Sequence, residues 1–462
     1  MVKKNIIIIN VPEDKNVEGE NGCSPPLGCV RVASAVKQTE ANERFIDGQH
    51  YTTVSSVLDQ VPSNTEIVGI SFNRVSIPNV KPLISGLLAR GVKRIIAGGQ
   101  AVIPISEAFV KDFADPRIMA CIGDGEPTIQ GIAHGDSLQK VPNLVYFENG
   151  VLRRTSNELI DYKTLSLEEQ VNGFNWENYF EYAKKFFGHK RASAYFTDGC
   201  PRRMSKSKGC SFCARRITGS MRSVTSEQAY NHLRFLKEQG AEQVNINDDT
   251  FFGNPLFIEG LTKQYQDKGS LNLGLHVYGC VSELTKRNLD LAERLGVRSI
   301  LVGIESGDEK VRRRNGKPIS DEQIFETAEE CKTRGITYEG AFIVGLIGET
   351  EDSVRATVNL ARMLSEGKFN SKTYASLFMP YAGSWAHFKI REKIERTPTL
   401  QEKYQNQFSR WDYDWSVLAD AQLEINTYIS RNQAHSALEQ IREIDMSTGT
   451  KPIIADYSKD GN

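Results

Sequence analysis

ASAYFTDGCPRRMSKSKGCSFC, residues 192–213, opens on a short run of small and apolar residues and then sets three cysteines within fourteen positions. Nine residues separate Cys200 from Cys210, and two separate Cys210 from Cys213. The run Ala192–Thr197 reads as a strand. The loop after it is basic and glycine-bearing, a poor setting for cysteines that merely pack. Thiolate sulfur selects zinc or iron–sulfur clusters over hard cations. A structural zinc site wants four ligands; no second C-x-x-C occurs in the chain, and Cys280 is the candidate fourth. A four-iron cluster held by three cysteines keeps one iron open to an exogenous ligand, which is a catalytic arrangement.

Five more apolar strands follow: Gln243–Asn247, Asn272–Tyr278, Arg298–Gly303, Tyr338–Val344 and Lys372–Phe378. Helical patterns fall between them near 225–239, 255–268, 284–295, 321–334 and 352–366. Successive right-handed crossovers curl a parallel sheet into a barrel or part of one. Six repeats fall short of the eight that close a full barrel, so a partial barrel is expected over 191–385. Chemistry in such barrels sits on the loops after the strands, and the three cysteines occupy the first of these loops.

Residues 1–135 carry a separate alternation. Ile6–Asn10, Glu66–Phe72, Lys93–Ala97 and Met119–Ile122 read as buried strands, with helices near Val30–Thr39, Val54–Gln60, Asn79–Arg90 and Ile105–Phe113. Continuous apolar strands separated by amphipathic helices imply a parallel sheet covered on both faces. Ser71, Gly98-Gly99 and Gly123-Asp124-Gly125-Glu126 follow the strand ends. Such loops either make tight turns or let a ligand reach the backbone at the carboxyl edge of the sheet. No G-x-G-x-x-G follows the first strand, so a strict dinucleotide fold is not supported.

Residues 136–190 read as a linker carrying a short hairpin, Leu144–Phe147 with Val151–Arg154, closed by an Asn-Gly turn. Residues 386–462 read as helical, with apolar spacing near 3.6 over Leu418–Arg431 and Gln433–Ile444. The aromatic run Phe408, Trp411, Tyr413 and Trp415 is expected to pack against the barrel or line its pocket, and the tail from about Ser447 reads as disordered. Arg202, Arg203, Lys206, Lys208, Arg215, Arg216, Arg222, Arg312-Arg313-Arg314 and Lys317 crowd the barrel loops. Such runs read as a solvated face, or as an approach for an anionic substrate, a peptide leader or RNA. No recognisable RNA module follows the barrel, so nucleic acid is not the expected partner.

Formal net charge is −1 with 25% charged residues, so bulk electrostatics give no reason to expect nucleic-acid or anionic-membrane binding. The opening MVKKNIIIINVPED has too short an apolar run to span a bilayer and meets Pro12-Glu13-Asp14 instead of a small-residue cleavage site. It reads as a first strand. The expectation is a cytoplasmic chain with no membrane span, where a thiol cluster points to metal or catalysis more than to disulfides.

The cysteine stretch resembles the radical S-adenosylmethionine (SAM) superfamily, whose first-strand loop reads C-x3-C-x2-C with an aromatic before the last cysteine. Gly199-Cys200-Pro201, Cys210, Phe212 and Cys213 fall into that pattern, with Met204–Gly209 lengthening the first gap. Met221-Arg222-Ser223 comes next, then Asn247-Asp248-Asp249-Thr250-Phe251 at the end of the second strand. Gly303-Ile304-Glu305-Ser306-Gly307 ends the fourth strand. IVGLIGET at 343–350 ends the fifth and is similar to the family's I-x-G-L-P-G-E-T, with isoleucine at the proline position. The IVGIS strand, Gly98-Gly99, Gly-Asp-Gly-Glu-Pro-Thr at 123–128 and Pro25-Pro26-Leu27-Gly28 are similar to the cobalamin-binding domain that precedes the barrel in one subfamily.

The resemblance implies an α/β chain: an N-terminal doubly wound, Rossmann-like cobalamin-binding domain, a partial (β/α)6 radical SAM barrel and a C-terminal helical region. It implies a 4Fe-4S cluster on Cys200, Cys210 and Cys213. SAM would bind at the open iron, with an electron from an external donor of flavodoxin or ferredoxin type. Phe212 joins the expected cofactor contacts. Asp248 or Asp249 would accept from the SAM amino group, Glu305 and Ser306 would meet the ribose, and Gly345 would let backbone approach adenine. A helix N-cap is the alternative for Asp248-Asp249. Ser71, Gly98, Gly99, Gly123, Gly125 and Glu126 would face cobalamin. With no D-x-H-x-x-G, cobalamin would bind base-off without a histidine ligand, and Arg74 is the candidate to approach the lower face of cobalt. The expected reaction is methyl transfer to a weakly nucleophilic centre of a small-molecule, natural-product or peptide substrate. Alternatives are a non-methylating rearrangement or cyclisation, aminocarboxypropyl transfer, or a zinc- or cobalamin-binding protein without catalysis. Cys280, at a strand end facing the same site, is the candidate for a catalytic role.

Overall fold

The computed structural model describes residues 3–13, 22–167, 171–204, 209–214, 220–366, 369, 371–408 and 410–447. Most of the six-residue lengthening, Arg215, Arg216 and the tail beyond Ser447 lie outside the described residues. The chain forms two compact units. One runs to Gly188 and takes in Trp411 and Asp412; the other runs from His189 to Phe408 and resumes at Tyr413.

The first unit is built on seven strands: β1 Asn5–Asn10, β2 Asn42–Asp47, β3 Ile67–Ser71, β4 Arg94–Gly98, β5 Ile118–Cys121, β6 Leu144–Glu148 and β7 Val151–Arg154. Their order is β2-β1-β3-β4-β5-β6-β7. The first five are parallel and the last two antiparallel. This is the flavodoxin-like order, whose topological switch lies between β1 and β3. β1 is buried on both faces from Ile6 to Asn10, as its unbroken isoleucine run requires.

Two elements of this unit go beyond the sequence reading. β2 (NERFID) starts exposed at the sheet margin and is buried only in its second half, so its apolar signal is short. The helix Gly125–His134 begins on glycine and proline, residues that read as a turn. The hairpin β6–β7 extends the sheet, and the helix Trp176–Phe187 is tied to it where Tyr179 Oη donates to Asp47 at 2.8 Å. Trp411, 1% exposed, packs on Phe72, Phe109 and Phe113 and donates to Asp112 at 2.9 Å. That aromatic therefore belongs to the core of the first unit.

The second unit holds β8 Arg191–Ala194, β9 Gln243–Ile246, β10 Gly274–Gly279, β11 Val297–Glu305, β12 Thr337–Val344 and β13 Ser371–Leu377, hydrogen-bonded in chain order and all parallel. The crossover helices start where the sequence places caps: Thr225, Ser320 and Thr350 each close a reciprocal box with the residue three positions on. Alternation on β12 buries Tyr338, Phe342 and Val344 under helices and turns Thr337, Glu339, Ala341 and Ile343 to the other face. Helices Trp385–Arg396, Pro398–Phe408, Trp415–Asn426 and Arg431–Ser447 follow. Among the described residues no helix is long and apolar enough to cross a membrane.

Candidate active site

The loop after β8 is fastened before it reaches the first cysteine. Asp248, following β9, accepts from the backbone N–H of Phe196 at 2.7 Å and of Thr197 at 3.0 Å, and Asp249 accepts from Gly199 N–H at 3.2 Å. Burial pushes the Asp248 carboxyl up to about 7, against the pull of those two backbone donors. Its second oxygen has no protein partner. Neither aspartate is a helix cap: Thr250 and Asn254 hold the N-cap positions that follow. The sequence-predicted pair thus positions the cysteine loop, and Asp248 keeps a buried Oδ2 still to be satisfied.

The second half of the loop is clasped to the turn after helix Glu309–Arg314. Ser211 donates its N–H to the Asn315 carbonyl at 3.1 Å and its hydroxyl to Asn315 Oδ1 at 2.6 Å. Asn315, fully buried, also donates to the carbonyls of Val311 and Ile347. Cys210 Sγ approaches the Gly316 carbonyl at 3.9 Å, which Arg202 also reaches at 3.1 Å. Gly316 has φ +84°, and a Cβ there would lie 2.4 Å from the Gly209 carbonyl oxygen. Only glycine lets the two backbones touch. Sequence reading singled out neither Asn315 nor Gly316, since their role exists only across the fold.

The thiols share one electrostatic neighbourhood. None of Cys200, Cys210 and Cys213 is in a disulfide. Burial raises the Cys200 thiol first, and the nearby Cys280, Glu283 and Cys213 add to it. Burial pushes Cys210 up to about 12; Lys317 opposes this, while Glu305 and Cys213 reinforce it. Cys280 is buried at the end of β10, where its N–H donates to Glu283 at 3.1 Å. Among the described residues no three His, Cys, Asp or Glu side chains are gathered as metal ligands. Protonated thiols gain nothing by converging, and a metal site is seldom preformed without its metal. The donor set suits a cluster: three soft ligands on one loop, free of disulfides.

The residues expected around SAM have internal partners. Glu305, at φ +74°, meets Lys317 at 3.0 Å, with both side chains nearly buried. Burial alone would pull the lysine down, and the Glu305 charge keeps it protonated. Ser306, fully buried, lies 3.3 Å from the Thr357 hydroxyl, and its carbonyl takes a bond from Arg312 at 2.8 Å. Arg312 and Lys317, read from sequence as part of a solvated basic run, are buried; Arg313 is exposed and pairs with Glu309. Gly345 has φ +99°, its carbonyl accepts from Gln422 at 2.8 Å and its N–H donates to Glu349. Phe212 packs with Val311, Leu346, Phe378 and Ala386.

In the first unit, Ser71, Gly98 and Gly123 stand at or just past the carboxyl ends of β3, β4 and β5. A Cβ on Gly98 would make ordinary contacts at 3.9 Å with Cys121 and the Ile70 carbonyl, so the protein does not itself require glycine there. The other glycines answer to internal contacts. A Cβ would lie 2.8 Å from the Ser71 hydroxyl at Gly99, 2.4 Å from Asn143 at Gly123 and 2.8 Å from Val32 at Gly125. Glu126 is drawn into a 2.7 Å ion pair with Arg31. Arg74 lies in the turn between β3 and helix Ile77–Ala89. The carboxyl ends of strands in such a sheet are where ligands bind.

Residues 194–361 match the radical SAM superfamily. An uncharacterized methyltransferase of Pyrococcus horikoshii is 24% identical over 366 residues, covering 76% of this chain and 75% of its own length. The solved radical SAM methyltransferase TsrM from Kitasatospora setae, with cobalamin and a [4Fe-4S] cluster bound, superposes at TM-score 0.70 with 15% identity, over 85% of this chain and 78% of that one. The cobalamin-dependent SAM radical enzyme OxsB with aqua-cobalamin bound gives TM-score 0.71 and 15% identity, over 97% of this chain and 68% of that one. At such identities the structural likeness establishes the α/β fold of both units.

Proposed function

We propose that this chain, a radical SAM protein by its residues 194–361, is a cobalamin-dependent enzyme that transfers a methyl group to a weakly nucleophilic centre of a small-molecule, natural-product or peptide substrate. One observation carries the reading: three cysteines outside any disulfide, on the loop after β8, share a neighbourhood that Asp248, Asn315 and Gly316 hold in place. When bound, the cluster and SAM supply a 5′-deoxyadenosyl radical, and the corrinoid supplies the methyl group.

In this reading Cys200, Cys210 and Cys213 give up their protons to hold the cluster. Asp248 Oδ2, buried and without a protein partner, accepts from the SAM amino group. Glu305 acts through Lys317, and Phe212 and the Gly345 backbone form an apolar, close-approach wall for adenine. Ser71, Gly98 and Gly99 would hold cobalamin, and Arg74 would be the residue that approaches it where a histidine ligand is lacking. Cys280 lies close enough to Cys200 to act on its thiol and is assigned to the active site. A flavodoxin- or ferredoxin-type protein supplies electrons, nucleic acid plays no part, and the chain works in the cytoplasm.

The test is anaerobic incubation with SAM, a reductant and candidate acceptors, with product analysis. Formation of 5′-deoxyadenosine together with S-adenosylhomocysteine supports the reading. Methylthioadenosine in their place would turn it to aminocarboxypropyl transfer, and no SAM consumption by cluster-loaded protein would remove it.

A further inference from the structure

We propose that the lower lumen of the barrel is an anion-binding subsite, so that the substrate carries a carboxylate or a phosphate-type group. This rests on reading the barrel as the seat of the reaction proposed above. In closed barrels the inward positions are filled by bulky branched side chains that make a packed core. Here the inner face of the sheet is polar. On β10, Leu275 and Val277 are buried while His276 and Tyr278 take the opposite face. On β13, Thr373 bonds to Ser365 of the covering helix, which turns Lys372 and Tyr374 inward.

Positive charge gathers at the lower end of this face. His276 is held by Ser299 and Gln243, each at 2.5 Å from a ring nitrogen. Burial, then the charges of Arg191, His189 and Lys372, push its imidazole down to about 3, so it stays neutral. It forms an uncharged polar floor among cations. Glu339 is the register neighbour of Lys372. It lies beyond ion-pair distance, and among the described residues Lys372 has no hydrogen-bond or ion-pair partner. A half-buried ammonium that makes no ion pair with its neighbouring carboxylate is left to be completed by a ligand anion. His276 and Cys280 are four residues apart along one strand line, about 13 Å at roughly 3.3 Å per residue. The anion therefore sits well below the cysteine loop, at the far end of an extended substrate.

The experiment uses the full chain, purified anaerobically with its cofactors. Binding of inorganic phosphate and of benzoate is measured by calorimetry at constant ionic strength made up with chloride. One or both probes bind the wild type, Lys372→Met weakens that binding at least about tenfold, and Lys372→Arg retains it. If Lys372→Met does not fold, Lys372→Gln and Arg191→Gln give the same reading. Phosphate alone points to a phosphorylated substrate, benzoate alone to a carboxylate. Binding of neither probe, or equal binding by the charge-removing variants, overturns the subsite. Iron and corrinoid are assayed on the same samples. Normal cofactor content without anion binding removes the subsite alone; anion binding without cofactors leaves the subsite and removes the reaction.

Discussion

Lys317 Nζ lies 3.0 Å from Glu305 Oε1, and the same ammonium donates to the Gly303 carbonyl at 3.2 Å. Breaking a buried pair leaves one charge uncompensated. Lys317→Met is expected to destabilise the second unit by about 3–5 kcal/mol, and adding Glu305→Gln to recover part of that loss. Urea unfolding of the single and double variants measures it. Additive losses, with no recovery in the double variant, would show that the pair is not coupled.

Gly316 meets the Gly209 carbonyl so closely that a Cβ would lie 2.4 Å from its oxygen. Gly316→Ala must therefore push the Cys210 segment away. The expected result is a folded protein that incorporates well under half the wild-type iron after anaerobic reconstitution. Wild-type iron content in this variant would show that the clasp does not position the cysteines.

Glu349 is fully buried, and burial pushes its carboxyl up to about 7, against backbone donors from Gly345 and Leu346. A carboxyl raised in the folded state binds its proton more tightly there than in the unfolded chain, so stability is full at low pH and is lost as pH rises toward 7. Glu349→Gln removes that titration. Relative to the variant, the wild type should lose on the order of 3 kcal/mol between about pH 4.5 and 7. Parallel stability curves across this window would contradict the burial argument.

Trp411 fills the gap among Phe72, Phe109 and Phe113, with Lys81 over its ring. Trp411→Ala is expected to cost the first unit about 3–5 kcal/mol. Calorimetry of the full chain should show the loss as a lower unfolding midpoint, while Trp411→Phe keeps most of the stability. An alanine variant that melts like the wild type would mean the site relaxes around the loss.

Much of this architecture was legible in the sequence because it rests on local pattern. Each barrel strand was anticipated to within about three residues, since period-2 burial and continuous apolar runs are written in residue order. β2 was missed because a marginal strand buries only half of itself, and helix Gly125–His134 because Gly-Glu-Pro reads as a turn. Burial of Arg312 and Lys317 was not legible either. Their partners, Asp321, the Ser306 carbonyl and Glu305, are supplied by the fold, and a basic run looks the same in sequence whether it is solvated or enclosed. The cysteine loop was found by its thiols. What holds it in place, Asn315 and Gly316, carries no motif.

The most direct measurement is metal and corrinoid content of the anaerobically purified chain, supplied with iron, sulfide and cobalamin. About four iron per chain, with a corrinoid in equal amount and loss of the iron in Cys210→Ala, is the predicted result. Zinc near one per chain, with no corrinoid and no iron, would contradict the account.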